Sequence, residues 1–308
     1  MAKFKLFIIF LLVFFVNFKV QADIKIKFKV GEDIITNIDI LKEKNYLIFF
    51  RPDLSKLNEK DIIKISENSL IRELIKKREL DKLFKDTNNE EFIDNLKKNL
   101  FLRYNVQDEG QFKSLLTKNN IRFEDLLTKV KYEGLWNELI YMKYNNSVKI
   151  DKEKTRKELI LKISNKKKYE YNLSEILFDV DKNEKLISKH AKIINTIREK
   201  DFKTAASKYS ISSSSDIGGE LGWIKETMLS NNLNKILGNM KKNQITKPIK
   251  YPNGYLLLKI NDKKEMKEVV DIEKELNDLI SYERDKQLNQ FSLLYYKKLK
   301  QNTKISEY

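Results

Sequence analysis

The chain has 308 residues, with 61 Lys and Arg against 45 Asp and Glu, a formal net charge of +16, no Cys and one His. Without Cys there are no disulfides, thiolate zinc sites or cysteine nucleophiles, and one His argues against Ser-His-Asp triads and histidine-rich metal sites. Lys makes up 53 of the 61 basic residues, whereas specific recognition of phosphates and bases favours the bidentate fork of Arg. We therefore expect a solvated basic surface, no nucleic-acid partner, no metal and no cofactor.

The first 22 residues have the pattern of a secretory signal peptide. Lys3 and Lys5 precede an apolar run over 6–18, and Val-Gln-Ala at 20–22 supplies compact residues before a cleavage point. A transmembrane anchor is the alternative, but 13 residues span roughly 20 Å, against about 30 Å for a hydrocarbon core. We expect cleavage after residue 22, secretion of the mature chain, and no stable membrane insertion afterwards.

The next segment begins as a hairpin and continues as helices. Residues 24–30 alternate apolar and basic side chains, the period of a half-buried strand, and 31–33 turn into a second strand. Thr36 followed by Asp39 predicts a capping box that opens the first helix, and Pro52 ends it. Apolar residues at spacings of three and four then predict packed helices with short loops. The expected helices cover about 59–84, 90–104, 109–118, 123–144 and 152–163.

Several aromatic side chains of this helical segment are candidates to line a peptide groove. They are Tyr46, Phe49, Phe50, Trp136 and Tyr141. Aromatics at helical spacing usually pack inside a protein, so we expect each of them to be a core residue.

The pattern changes near residue 166, where a separate α+β unit begins. Its predicted elements are a strand over 169–180, helices over 185–199 and 202–209, a small-residue loop over 210–222 and a strand over 255–260. His190 falls in the first of these helices, and we expect it on a helix face rather than in a catalytic role.

The last segment returns to one amphipathic helix, about 269–300, followed by a possible strand over 303–308. Its expected apolar face comprises Ile272, Leu276, Leu279, Ile280, Phe291, Leu294 and Leu299. A lone amphipathic helix and a short strand each need a partner. We therefore expect this helix to dock on the N-terminal helices rather than on the α+β unit, which is inserted between the two ends.

The α+β unit resembles the parvulin-type prolyl isomerases. The stretches DFKTAASKYS at 201–210 and GGELGW at 218–223 are similar to that family's central signature, and 173–177, 245–249 and 253–260 to its first and closing strands. The order of elements outside the unit resembles the SurA-type chaperones. These resemblances imply a mainly helical α+β chain with a signal peptide at 1–22, a helical chaperone domain at 23–165, a parvulin domain at 166–263, and a C-terminal helix and strand at 264–308 that pack on the N-terminal domain.

The resemblance also implies where an active site would lie. Parvulins usually carry one His on the first strand, another on the last, and an Asp or Cys after the Tyr-Ser element; the matching positions here are Glu175, Leu256 and Ser212. Glu175 either takes the orientation of the missing His, as a costly buried carboxylate, or turns outward. The apolar residues that form the floor of the proline pocket in this family are better retained in this sequence. The expected proline or peptide pocket comprises Met228, Leu229, Leu233 and Tyr255.

The chemistry decides how much these changes matter. Prolyl isomerisation breaks no bond and needs no nucleophile or metal, only a lower barrier to amide rotation, which is about 18–20 kcal/mol. Desolvation and shape can supply part of that, so we expect weak or lost isomerase activity. The resemblance implies a chaperone for unfolded secreted chains in the periplasm of a Gram-negative envelope, with outer-membrane precursors as partners. The alternatives are an active parvulin-type isomerase and a basic protein of the envelope surface.

Overall fold

The computed structural model of the protein describes residues 23–84, 90–164, 169–181, 183–266 and 271–308. The signal peptide that we predict at 1–22 lies outside the described residues. Within the described ranges no helix is both long enough and apolar enough to cross a bilayer. In the same ranges, ten α-helices accompany two small antiparallel sheets, which confirms the predicted mainly helical α+β class.

A three-stranded antiparallel sheet joins the two ends of the described chain. Its strands are β1 (Ile26–Val30), β2 (Asp33–Thr36) and β7 (Ile305–Glu307), in the order β2-β1-β7. Phe28 pairs with Ile35 on one side and with Glu307 on the other. The turn requires Gly31, because its φ is +62° and a Cβ there would lie 2.4 Å from the Arg78 guanidinium.

Six helices follow the hairpin, and the ends of the last five lie within one residue of the prediction. They are α1 (Asn37–Phe50), α2 (Glu59–Leu83), α3 (Glu90–Tyr104), α4 (Glu109–Thr117), α5 (Phe123–Tyr144) and α6 (Lys152–Ser164). The predicted capping box is present, since the Asp39 amide donates to the Thr36 hydroxyl and the Thr36 amide donates to the Asp39 carboxylate. A 3-10 turn over Pro52–Lys56 follows α1.

The aromatic side chains of this segment differ in their burial. Trp136 is a core residue, 1% exposed, whose indole donates to Ser292 at 2.8 Å and stacks on Tyr295. Three others are partly buried against a cluster around Phe112, namely Tyr46, Phe49 and Phe50. Tyr141 is 49% exposed, so the prediction of a core position is wrong for that residue.

Four antiparallel strands and three helices form the α+β unit. In chain order they are β3 (Tyr169–Phe178), α7 (Leu186–Glu199), α8 (Phe202–Tyr209), β4 (Glu220–Lys225), α9 (Asn231–Gly238), β5 (Ile249–Tyr251) and β6 (Gly254–Glu265). The strand order is β4-β3-β6-β5, with the two long strands in the centre. Periodicity did not predict α9 or β4, and the predicted loop over 210–222 contains a 3-10 turn, Ser213–Ile217, and the start of β4.

The two central strands separate two apolar layers, because neighbouring residues on a strand point to opposite faces of the sheet. Leu173 and Leu256 belong to the layer that includes Leu237 of α9. Ile176 and Leu257 belong to the layer formed with α7 and α8. The first layer contains the candidate site.

The long C-terminal helix, α10 (Ile272–Gln301), has two different environments. Its C-terminal half packs on α2 and α5, where Tyr295 lies in one cluster with Leu80 and Trp136. Its N-terminal half packs on α6, where Leu276 and Leu279 cluster with Leu159 and contact Met228 of the α+β unit.

The expectation that α10 docks only on the N-terminal helices is therefore wrong, since it also contacts the α+β unit. The predicted stripe is also too broad. Leu276 is fully buried and Leu279 is 6% exposed, whereas Ile272 is 37% and Leu294 52% exposed. A helix that changes partners along its length does not keep one continuous buried face.

Candidate peptide-binding pocket

A small apolar cavity lies on the α9 side of the central strands. Its volume is about 140 Å³, close to the roughly 150 Å³ of a cavity that holds a benzene ring. The apolar side chains that line it are Leu173, Leu221, Ile224, Met228, Leu229, Leu233, Ile249, Leu256 and Leu258. A cavity of this size and lining fits one small apolar ring.

Glu175 of β3 lines this cavity and does not turn outward. Its Oε1 accepts hydrogen bonds from the hydroxyls of Ser212, at 2.6 Å, and Ser214, at 2.8 Å. Hydrogen bonds to a carboxylate are stronger than bonds between neutral groups, which compensates for its partial burial. The structure thus brings two predicted polar positions, Glu175 and Ser212, into direct contact, together with Ser214, which the sequence reasoning missed.

Backbone contacts fix the loop that carries these serines. The Glu175 amide donates to the carbonyl of Gly219 at 2.7 Å. Gly219 has a φ of +79°, and a Cβ there would lie 2.2 Å from the Glu175 carbonyl oxygen. Only Gly permits this approach, which explains the glycine pair of the GGELGW stretch without invoking a ligand.

The third polar position of the family is apolar in both sequence and structure. Leu256 of β6 is 4% exposed and lies opposite Leu177 of β3. Its side chain belongs to the floor of the cavity together with Leu258. Leu256 itself therefore offers neither a donor nor an acceptor at the position where parvulins usually carry the His of the last strand.

The segment after β4 supplies the predicted floor residues. A 3-10 turn over Glu226–Met228 leads to Leu229, which is 3% exposed, and Ser230 then caps α9 by accepting from the Leu233 amide. Met228, Leu229 and Leu233 all line the cavity. Their part in binding a peptide stays a prediction.

Tyr255 is not brought to this cavity. Since it precedes Leu256 on β6, its side chain points to the opposite face. There it stacks on Phe178, with 5.9 Å between ring centroids, and the Lys250 ammonium lies 4.6 Å from its ring. The structure therefore differs from the predicted pocket at Tyr255.

Two side chains from outside the α+β unit also line the cavity. Tyr282 and Lys286, one helical turn apart on α10, form part of its wall. Burial raises the pKa of Tyr282 to about 12, and the neighbouring Tyr251 and Glu175 act in the same direction. Tyr282 is therefore a neutral phenol at physiological pH. Nothing in the parvulin-like motifs could have identified either residue, because both lie far along the chain from them.

The described residues also form other cavities, among them two of about 310 and 330 Å³ in the helical part that Tyr46 and Lys129 line. A wider groove of about 630 Å³ runs between α9 and the segment before β5, but Lys247 is the one ionisable side chain among its lining residues. Within the described ranges no group of three or more His, Cys, Asp or Glu side chains is placed to hold a metal ion. His190 lies on α7, away from the cavity, and its Nε2 is buried without a hydrogen-bond partner.

Comparisons with known proteins agree with this geometry. Residues 160–262 match the rotamase family, which is described as the PPIC-type PPIase domain. The chaperone SurA of Pseudomonas putida is 27% identical over 162 residues, which cover 50% of this chain and 38% of that protein. SurA of Methylococcus capsulatus is 26% identical over 162 residues, 49% of this chain and 35% of that protein. The foldase PrsA of Staphylococcus epidermidis is 25% identical over 155 residues, 49% of this chain and 46% of that protein.

Solved structures include a PpiC-type isomerase domain, 28% identical, which covers 32% of this chain and 93% of its own with a TM-score of 0.28. A SurA-like chaperone of Campylobacter jejuni is 16% identical and covers 92% of this chain and 98% of its own, with a TM-score of 0.40. The matched segments span less than half the length of the curated relatives.

Fold, pocket and family match together define residues 160–262 as a PPIC-type, or parvulin, domain. Beyond this domain match, the chain is similar in sequence to the SurA chaperones and to the foldase PrsA over about half of its length.

Proposed function

We propose that this protein is a folding chaperone of the periplasm. It binds unfolded secreted chains, outer-membrane protein precursors among them, and its isomerase activity is weak or lost. The observation that carries the proposal is an apolar pocket without the family's polar network. Glu175 is engaged by two serine hydroxyls, and Leu256 stands in the floor. Such a pocket can hold a proline ring, and the polar side chains that remain in its wall, among them Tyr282 and Lys286, are not those of the family's network.

The polar groups that remain suit binding better than turnover. A twisted X-Pro amide gains from preorganised partners that match its changed charge distribution. Glu175 is an acceptor whose Oε1 already has two donors, and Leu256 offers neither a donor nor an acceptor. The pocket can still exclude water from the X-Pro amide, which lowers part of the rotation barrier. We therefore expect weak activity rather than a necessary absence of activity.

The helical part offers contacts for an extended chain. Within the described residues, large apolar side chains that are at least 46% exposed occur on five of its helices: Leu41, Leu83, Leu102, Tyr141, Met142 and Leu161. Exposed apolar side chains bind unfolded segments with little sequence selectivity. We accordingly propose the division into a helical chaperone domain at 23–165, a parvulin domain at 166–263 and a C-terminal segment at 264–308.

An active prolyl isomerase is the second candidate, favoured by the retained floor of Met228, Leu229 and Leu233. The two candidates make different demands on the same protein. A chaperone must prevent aggregation of an unfolded β-barrel protein at stoichiometric amounts. An isomerase must accelerate a protease-coupled proline-peptide reaction at catalytic amounts.

The test measures both activities on the same preparations. We expect aggregation to be suppressed by the unmodified protein and by a variant in which a short linker replaces 166–263, and turnover of the unmodified protein to be far below that of an active parvulin. Combining Glu175→His, Ser212→Asp and Leu256→His should raise turnover about 100-fold, the lower end of the range for a positioned acid or base. If Leu256→His prevents folding, the Glu175→His and Ser212→Asp pair is tested alone.

Two outcomes would contradict the proposal. One is turnover of the unmodified protein comparable to that of an active parvulin, and the other is loss of aggregation suppression when 166–263 is deleted.

A further inference from the structure

The floor of the candidate pocket is held by a residue outside the parvulin domain's strands. Lys162 lies near the C-terminal end of α6, and its ammonium donates to two backbone carbonyls, those of Thr227 at 3.1 Å and Leu229 at 2.8 Å. These carbonyls flank Met228, so the side chains of two floor residues are oriented from α6. Burial lowers the pKa of Lys162, and that cost is offset by the two hydrogen bonds.

A buried carboxylate of α10 holds the same segment from the other side. Glu275 is 3% exposed and accepts hydrogen bonds from the Thr227 hydroxyl and the Lys225 ammonium. A carboxylate this deeply buried is stable only while both donors remain in place. The 225–229 segment is thus bound at its side chains by α10 and at its backbone by α6.

The apolar contacts follow the same arrangement. Met228 packs against the cluster of Leu159, Leu276 and Leu279, which joins α6 to α10. One turn further along α10, Tyr282 forms a wall of the pocket. Floor and wall are therefore attached to the same pair of helices.

We propose that α6 and α10 complete the peptide pocket, with Lys162 as a positioning residue for its floor and Tyr282 as a contact that helps to select an apolar ring. The proposal rests on the function proposed above, because it assumes that the pocket takes an X-Pro peptide. By linkage, a peptide in the pocket strengthens the contact of the 225–229 segment with α6 and α10. Loosening that contact in turn weakens the binding of the peptide.

The experiment measures binding of a fluorescein-labelled Ala-Ala-Pro-Phe peptide to the full chain, by anisotropy, well below the unfolding temperature of each variant. We expect Lys162→Met to raise Kd about fivefold, the scale of one lost hydrogen bond, and Lys162→Arg to restore most of the affinity. Tyr282→Ala should raise Kd by a similar factor, whereas Tyr282→Phe, which keeps the ring, should change it little. Lys157→Met is the matched control, since Lys157 is an exposed residue of α6.

Two further measurements separate the possible failures. Leu233→Glu places a charge in the pocket, and unchanged binding by this variant would contradict both the proposed function and this inference. If Leu233→Glu weakens binding but Kd is unchanged in Lys162→Met and Tyr282→Ala, the inference alone is wrong. Saturating peptide should also slow amide hydrogen exchange in α6 and the N-terminal half of α10; a structural role of Lys162 without coupling would leave that exchange unchanged.

Discussion

Two of the contacts between the parvulin domain and the helical part differ in chemistry. The first contact joins the turn after α1 to α8 and is made of charges. Arg51, 7% exposed, donates to the Ser207 carbonyl at 2.7 Å and to Asp216 at 3.2 Å. Two lysine-carboxylate pairs flank it, Lys56 with Asp201 and Lys208 with Asp61.

The second contact joins α6 and α10 to the segment after β4 and has an apolar centre. Leu159 and Leu276 are fully buried there, and the polar groups within it, Glu275 and Lys162, are hydrogen-bonded to the parvulin domain. Burying an aliphatic side chain contributes about 1.5–3 kcal/mol, whereas an exposed ion pair contributes about 0–1 kcal/mol. Arg51 is buried at the first contact, so we expect both contacts to add to stability and the second, with its apolar centre, to add more.

The largest expected effect comes from the apolar contact. Leu276→Ala removes a fully buried side chain from the cluster with Leu159 and Leu279. We expect the free energy of unfolding to fall by about 2–5 kcal/mol, the range for a large-to-small change in a core. Urea unfolding monitored by circular dichroism measures it.

The same helix provides the control for this comparison. Leu294 is 52% exposed, so Leu294→Ala should change stability by no more than about 0.5 kcal/mol. Equal losses from the two variants would mean that the contact between α6 and α10 does not supply the stability assigned to it.

A smaller effect is expected at the charged contact. Arg51→Met removes both hydrogen bonds, and it also removes a positive charge that interacts with the buried Asp53, whose carboxylate oxygens have no hydrogen-bond partner. We expect a loss of about 1.5–3 kcal/mol, the scale of hydrogen bonds to charged groups. Lys56→Gln, at an exposed pair, is the control and should change stability less.

The readout that distinguishes the two contacts is peptide binding. If only the second contact shapes the pocket, the Kd of a proline peptide should be the same in Arg51→Met as in the unmodified protein. A rise in Kd comparable to that of Lys162→Met would show that both contacts shape the pocket. The two contacts would then not differ in their effect on peptide binding.

Local signals in the sequence were enough to predict most helices. The capping pair of Thr36 and Asp39 and the spacing of apolar residues over 123–144 describe interactions within a few residues, and the structure has both. The elements α9 and β4 were not predicted, although the equally short α8 was, because turn-forming Asn and Gly residues interrupt both: α9 begins with two Asn and ends in Gly238, and β4 follows a Gly pair and contains Gly222.

The site was predicted only in part, for a related reason. Glu175, Ser212, Leu229 and Leu233 fall within family motifs, which carry the spatial arrangement that periodicity lacks. Tyr282 lies on a helix whose apolar stripe could have faced either the helical part or the parvulin domain. The spacing of apolar residues along this helix does not indicate which part of the protein each helical turn contacts. That is determined by tertiary contacts between distant segments of the chain.

The smallest expected effect lies away from both contacts. His190 is the single histidine of the chain and lies on α7. Burial lowers its pKa below the ordinary value of about 6.5. A two-dimensional NMR titration gives one histidine signal, and its midpoint should lie below that of an unfolded peptide. Because neither contact involves α7, the midpoint should be the same in Leu276→Ala and Arg51→Met.

The sign of the effect on stability follows from the depressed pKa. Between the lowered folded value and about 6.5, the unfolded chain binds more protons at this residue than the folded chain, so stability rises with pH across that window. The contribution is complete above about pH 6.5 and is lost as the pH falls through the window. His190→Asn removes it, so the loss of stability on acidification from pH 7.5 to 5.5, measured by urea unfolding, should be smaller in this variant. An identical loss in both proteins would mean that the imidazole keeps its ordinary pKa in the folded chain.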